Sequence, residues 1–207
     1  MADKPGDFYI GIVDFFGILV PGAILLYLHK NFALDYLGWF SPQGPELWVV
    51  FAVAAYVTGH FLMAASQVLN KFQEVFYPEK YDPYYKEVRE KIHLPADVSQ
   101  NRSNMFYRAF AFVRLVSPSG LAEIERQMAE YKLFRSLTLV FALDFIFQVF
   151  LNFYSIAMWF RTFSSLLLCV AALWRFLYLL NWTRRITFEY CALLQSDSLK
   201  DKDKKNH

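Results

Sequence analysis

Residues 137–154 read LTLVFALDFIFQVFLNFY, a run apolar enough to cross a bilayer in which Asp144, Gln148 and Asn152 recur at every fourth position. On a helix that spacing stacks the three side chains into one polar stripe. The opposite face, with Leu139, Phe141, Phe145 and Phe153, is as apolar as a protein core, so the solvent it predicts is lipid. A carboxylic acid in lipid is costly and by default turns toward a bundle interior or a water-filled cavity, where a partner meets it. The stripe therefore requires other helices around it, and one of them has to answer Asp144.

Three more apolar runs supply those helices, at residues 8–28, 47–69 and 163–180, each close to the roughly 20 residues a bilayer demands. Of the 207 residues 56% are hydrophobic, and the charged ones crowd into a few stretches. Outside the spans only residues 72–136 are long enough to fold on their own account, which leaves no room for a separate catalytic domain. The expected fold is all-α: an integral membrane four-helix bundle with a helical cytoplasmic region between spans two and three. The expected layout is an N-terminal transmembrane hairpin over 1–71, the cytoplasmic region over 72–136, and a C-terminal hairpin with a helical extension over 137–195. The charged tail at 196–207 reads as disordered.

The first run holds Asp14 and the dipeptide Pro21-Gly22. No small-residue cleavage site of the A-x-A kind follows it, so an uncleaved span is expected. Pro21 removes a backbone donor and predicts a kink or break; with Gly22 it reads as a tolerated kink or as a hinge. The second run carries His60, Gln67 and Lys71 on one face. A lone histidine of this kind reads first as a clamp between helices. Trp39, Phe40 and Trp48 mark an interfacial aromatic belt. Within 72–136, Ser117-Pro118-Ser119-Gly120 reads as a turn entering a helix that continues into the third span. The aromatic run around Met105, Phe106, Tyr107, Phe110 and Phe112 is too apolar to be solvated all round, so it packs on its neighbours or lies on the membrane surface.

The net charge of +2 says less than its placement. The stretches 29–46 and 155–162 carry one Lys or Arg each, Lys30 and Arg161, whereas the middle region and the C-terminus hold nearly all the rest. Such a bias places both termini and residues 72–136 in the cytoplasm of a bacterial inner-membrane protein and requires an even number of spans. Counting at about 1.5 Å per residue from the cytoplasmic ends of the spans brings Asp144 and Arg175 to similar depth, so an intramembrane ion pair between them is expected, with Asp14 and His60 in the same half. The polar set Asp144, Gln148, Asn152, His60 and Asp14 then either glues a bundle as a seam or lines a water-filled path through a homo-oligomer.

Other chemistry is sparse. Cys169 and Cys191 fall on one continuous helix about 33 Å apart and cannot pair within a chain. Arg89 and His93, one helical turn apart, resemble the Arg and His pair of HEPN ribonucleases at a shorter spacing; Pro95 follows at once, and a solvated helix end is the plainer reading. No phosphate loop, HExxH or CxxC motif is present, and no cofactor, metal or catalytic residue is expected.

Taken together, DFFGILVPGAILL at 14–26, YVTGHFLMAAS at 56–66, the aromatic and basic middle segment and the closing RRITFEYCALL resemble small four-span proteins of bacterial defence islands. The plan is similar to that of the accessory membrane proteins of type VI-B CRISPR systems. That resemblance implies a non-enzymatic, homo-oligomeric antiphage accessory or pore-forming effector that perturbs the inner membrane. Its implied partners are the lipid bilayer, further copies of itself and a soluble defence protein at the cytoplasmic region, without direct nucleic-acid binding. The alternative is a structural or scaffold subunit that docks a soluble partner through that region. Polar residues on an oligomer axis would favour the first, and a solid bundle the second.

Overall fold

The computed structural model describes residues 5–30, 46–71, 102–151 and 156–205. Every described element is helical. In chain order these are α1 (Pro5–Leu28), α2 (Glu46–Ala65) ending in a 3-10 turn (Ser66–Leu69), α3 (Arg102–Val116), α4 (Pro118–Leu151) and α5 (Ile156–Lys205). Three segments are long and apolar enough to cross a membrane, Trp48–Leu69, Pro118–Phe150 and Trp159–Leu194, and a shorter apolar helical stretch covers Gly17–Leu28. No more than a third of the most apolar window in each of the three is buried. Their greasy side chains mostly face outward, as Trp48, Phe61, Phe150, Phe160 and Phe163 do.

The chain forms two compact units. The first comprises Met1–Asn70 and Ala129–Leu177. In it α1 and α2 touch backbone to backbone. A β-carbon placed on Gly22 would collide with the carbonyl oxygen of Ala55 and lie 2.7 Å from the amide nitrogen of Gly59, and one on Gly59 would collide with the carbonyl of Ile18. Small residues of this kind let helices approach closely where dispersion contacts must supply the cohesion. The Pro21-Gly22 pair is therefore part of a packing seam. α1 runs on unbroken through Pro21, which is buried, so the helix is not interrupted at this position.

α4 and α5 form an antiparallel hairpin in this unit, with Leu151 and Ile156 as the flanking helix ends. Its register is read from Cys169, whose thiol donates to the carbonyl of Thr138, and from Arg175, whose guanidinium lies 5.9 Å from the Phe134 ring centroid. Hydroxyls that face apolar surroundings are satisfied within their own helix: Thr138 donates to the carbonyl of Phe134 and Ser164 to that of Phe160, each at 2.8 Å. This back-bonding removes most of the cost of a hydroxyl on a greasy helix.

The second unit comprises Lys71–Met128 and Tyr178–His207. Met105, Phe106, Ala109 and Val113 recur along one face of α3 and bury against Ile124 of α4 and Phe188, Cys191 and Ala192 of α5. The aromatic run of α3 thus packs on its neighbours, as its composition requires. α4 begins where Ser117 accepts a hydrogen bond from the amide of Gly120 at 3.2 Å and Pro118 occupies the first helical position. That combination is an N-cap with its preferred successor. From there α4 continues without interruption to Leu151. Thr183 and Thr187 bond back to the carbonyls of Leu179 and Thr183.

The C-terminal extension and the middle segment fall in the same unit, and α5 is helical as far as Lys205.

Candidate functional site

Asp144 lies at the centre of a polar cluster between α4, α5 and the end of α1. It is 2% exposed. Its Oδ2 accepts a hydrogen bond from Gln148 Nε2 at 2.6 Å, one helical turn along α4, and a second from the hydroxyl of Ser165 on α5. Gln148 also donates to Ser165 at 3.2 Å and accepts from the Thr162 hydroxyl at 3.4 Å. Gln148, Ser165 and Thr162 are all buried. Asp144 Oδ1 accepts no hydrogen bond among the described residues. Among the described residues the imidazole of His29 approaches it, with Nε2 at 3.6 Å from Oδ1 and the ring edge-on to Phe147 at 4.5 Å. α1 is held at that level by Arg161 of α5, which donates to the carbonyl of Leu28 at 3.3 Å.

Asp144 and Gln148 are thus both buried in the unit's interior and bonded to each other; Asn152 lies outside the described residues. The expected partner of Asp144 is not the one it has. Ser165 stands opposite Asp144, whereas Arg175 stands opposite Phe134, ten residues and about 15 Å further along α5. The reason lies in the hairpin: α5 begins at Ile156, so Arg161 and Thr162 belong to the helix and not to a connecting loop, and the register shifts by more than two turns from the one that equal span ends imply. His60 is exposed and meets the Tyr56 ring edge-on at 4.6 Å, apart from the cluster. Asp14 belongs to α1, and its side chain lies outside what the structure describes, as do Arg89 and His93.

A second buried polar centre escaped the sequence reading. Arg135, 4% exposed, donates from Nε to the Ser66 hydroxyl at 3.1 Å, from Nη1 to the Asn70 side-chain oxygen at 3.2 Å and from Nη2 to the carbonyl of Met63 at 3.4 Å. Its guanidinium closes the end of α2, where carbonyls lack helical partners and the helix dipole is negative. The Ser66 hydroxyl in turn donates to the Met63 carbonyl at 2.9 Å. Nothing in the local pattern distinguishes Arg135 from the surrounding basic residues, because its partners lie 65 to 72 positions away.

In the second unit a half-open groove is lined by Glu123, Ile186, Glu189, Tyr190 and Leu193. Glu123 is already engaged by Arg126 at 2.9 Å and by Gln127 at 3.2 Å. Among the described residues no group of three or more His, Cys, Asp or Glu side chains is placed to hold a metal ion, and Cys169 and Cys191 are free thiols.

These features define a helical protein with several helices apolar enough to span a membrane and a buried carboxylate at the heart of one unit. Comparison with protein-family models, with curated proteins and with solved structures found no match.

Proposed function

We propose that the chain is a non-enzymatic, four-span protein of a bacterial inner membrane that acts as a membrane-embedded scaffold, docking a soluble partner through residues 72–136. The observation that carries this reading is the inversion of polarity in the first unit: outward faces of α2 and α5 are apolar, while Asp144, Gln148, Ser165 and Thr162 point inward and bond to one another. That is the pattern of a polypeptide solvated by lipid whose intramembrane polar residues have found partners within the chain. Aromatic anchors support it. Tyr27, Trp48 and Trp159 gather at one end of the unit, and Trp174 lies some 15 residues, or about 22 Å, further along α5 from Trp159.

A homo-oligomeric antiphage effector that opens a pore is the second reading, favoured by the broad apolar faces of α2 and α5, which leave room for further copies against the helices. The two are separated by reconstitution. Proteoliposomes carrying the purified protein should retain an entrapped dye and hold a potassium diffusion potential, because Asp144 and Gln148 are buried and bonded to Ser165 and Thr162 of the same chain. Leakage by the wild type that Gln148→Leu abolishes would put the pore ahead.

Orientation is a separate expectation, resting on the basic bias of residues 72–136 and of the C-terminus. Cysteines introduced as Ser99→Cys and Ser198→Cys should resist an impermeant thiol reagent in intact cells and react after permeabilisation. Reaction of Ser99→Cys in intact cells overturns the cytoplasmic placement.

A further inference from the structure

We propose that the outward face of α3 is the surface that docks a soluble partner, and that the segment it receives is an acidic amphipathic helix. The inference rests on the scaffold reading above and names the surface and the partner chemistry which that reading leaves open.

One face of α3 belongs to the core of the second unit, where Met105, Phe106, Ala109 and Val113 bury against α4 and α5. The other carries Tyr107, Arg108, Ala111, Arg114 and Leu115, all exposed. At about 100° per residue, Tyr107, Ala111 and Leu115 form a ridge one turn apart, with Arg114 along one flank and Arg108 along the other. Tyr107 is 65% exposed and Leu115 86%, and Val116 continues the apolar surface at the end of the helix. Contiguous apolar surface rimmed by charge is the pattern of an interaction site. Ala111, small and central, lets a second helix approach between the two larger side chains.

Charge selects the partner. α3 contains three arginines and no Asp or Glu. Among the described residues the ion pairs join His29 to Asp144 and Arg126 to Glu123, so neither Arg108 nor Arg114 is matched by a described carboxylate. A partner that covers the ridge has to bring acidic groups to both flanks, because otherwise it strands two guanidinium groups at the edge of a dry contact. A helix does so with the least chain, setting apolar residues along one stripe and Glu or Asp on its two borders. The guanidinium fork meets a carboxylate through two parallel hydrogen bonds, which fixes register as well as charge.

Anionic lipid carries the same charge, but the chain places this surface away from it. α3 ends one residue before α4 begins at Pro118. About 18 residues, or about 27 Å of helix, then separate Pro118 from Ser136, where the charge-poor stretch of α4 starts. Glu123, Glu125, Arg126, Glu130 and Lys132 fall in that interval, so the Leu115 end of the face adjoins the part of α4 that water solvates.

Titration of a labelled peptide into the full chain in phosphatidylcholine nanodiscs tests the surface. The probe is a synthetic helix of about three heptads with leucine along the seam and glutamate on both borders; its controls are a scrambled sequence and a copy with lysine for every glutamate. Fluorescence anisotropy, corrected for empty discs, should show the wild type binding the acidic peptide and neither control. Arg108→Glu combined with Arg114→Glu should weaken that binding about tenfold or more and transfer the preference to the lysine peptide. Both side chains are exposed, so the unfolding midpoint should stay where it is. Leu115→Ser should weaken binding without changing the charge preference. The surface is refuted if the wild type does not distinguish the acidic peptide from its controls, or if the double variant binds it as the wild type does; in the second case residues 72–136 still dock a partner and only the assignment to α3 falls. A chain that does not enter the discs defeats the membrane reading, and the same titration is then run on it in solution. A polarity-sensitive dye on Leu115→Cys that shifts to the blue when phosphatidylglycerol replaces phosphatidylcholine assigns the face to lipid and overturns the protein partner.

Discussion

Gly22→Ala should destabilise the protein by about 3 kcal/mol, an unusually large effect for the addition of one methyl group. The added carbon would collide with the carbonyl oxygen of Ala55 and come within 2.7 Å of the Gly59 amide nitrogen. Both obstacles are backbone atoms, so no side chain can rotate away and α1 must separate from α2. Gly22→Leu should prevent recovery of folded protein. Gly17→Ala is the matched control: the nearest atom to its new carbon is the Ala129 carbonyl oxygen at 4.0 Å, and alanine gains about 1 kcal/mol in helix propensity. Unfolding midpoints in detergent compare the two. If Gly22→Ala proves as stable as Gly17→Ala, the close contact between α1 and α2 is wrong.

Replacing Arg135 with methionine should also cost about 3 kcal/mol, even though methionine suits an apolar interior better. Three donated hydrogen bonds disappear at once, and of the acceptors at the end of α2 the Met63 carbonyl keeps only the Ser66 hydroxyl as a side-chain donor. Arg135→Lys should recover only part of the loss, because an ammonium group cannot reach three acceptors in the planar fork that the guanidinium spans. The loss should be felt first at the Ser66–Leu69 turn, as faster amide exchange there than along α4. Equal stability of Arg135→Met and the wild type would mean that the guanidinium contributes nothing to closing α2.

Much of the helical framework was legible in the chain, because apolar runs of bilayer length and an N-cap such as Ser117-Pro118 are local signals. The stripe was legible for the same reason: Asp144 and Gln148 are one turn apart, and both are buried. What failed was everything that depends on register between distant segments. Counting inward from equal span ends matches Arg175 to Asp144, and starting α5 at Ile156 moves that count by more than two turns. Ser165 and His29 carry no sequence mark that ties them to Asp144. Arg135 looked like one basic residue among many, since its acceptors are on α2. Pro21-Gly22 reads as a kink or a hinge because proline weakens helices; that the adjoining glycine receives another helix is a fact about α2, not about α1.

The distinction between polar groups satisfied within their own helix and those satisfied by another has a consequence for how the chain is made. Under the membrane reading, Thr138, Ser164, Thr183 and Thr187 enter lipid with their hydroxyls already bonded within their own helix and need no partner helix. Arg135 arrives after its acceptors on α2 have been synthesised. Asp144 arrives before Ser165, which emerges 21 residues later. Under that reading the partner of Asp144 on α5 favours entry of α4 and α5 into lipid as one hairpin rather than one helix at a time.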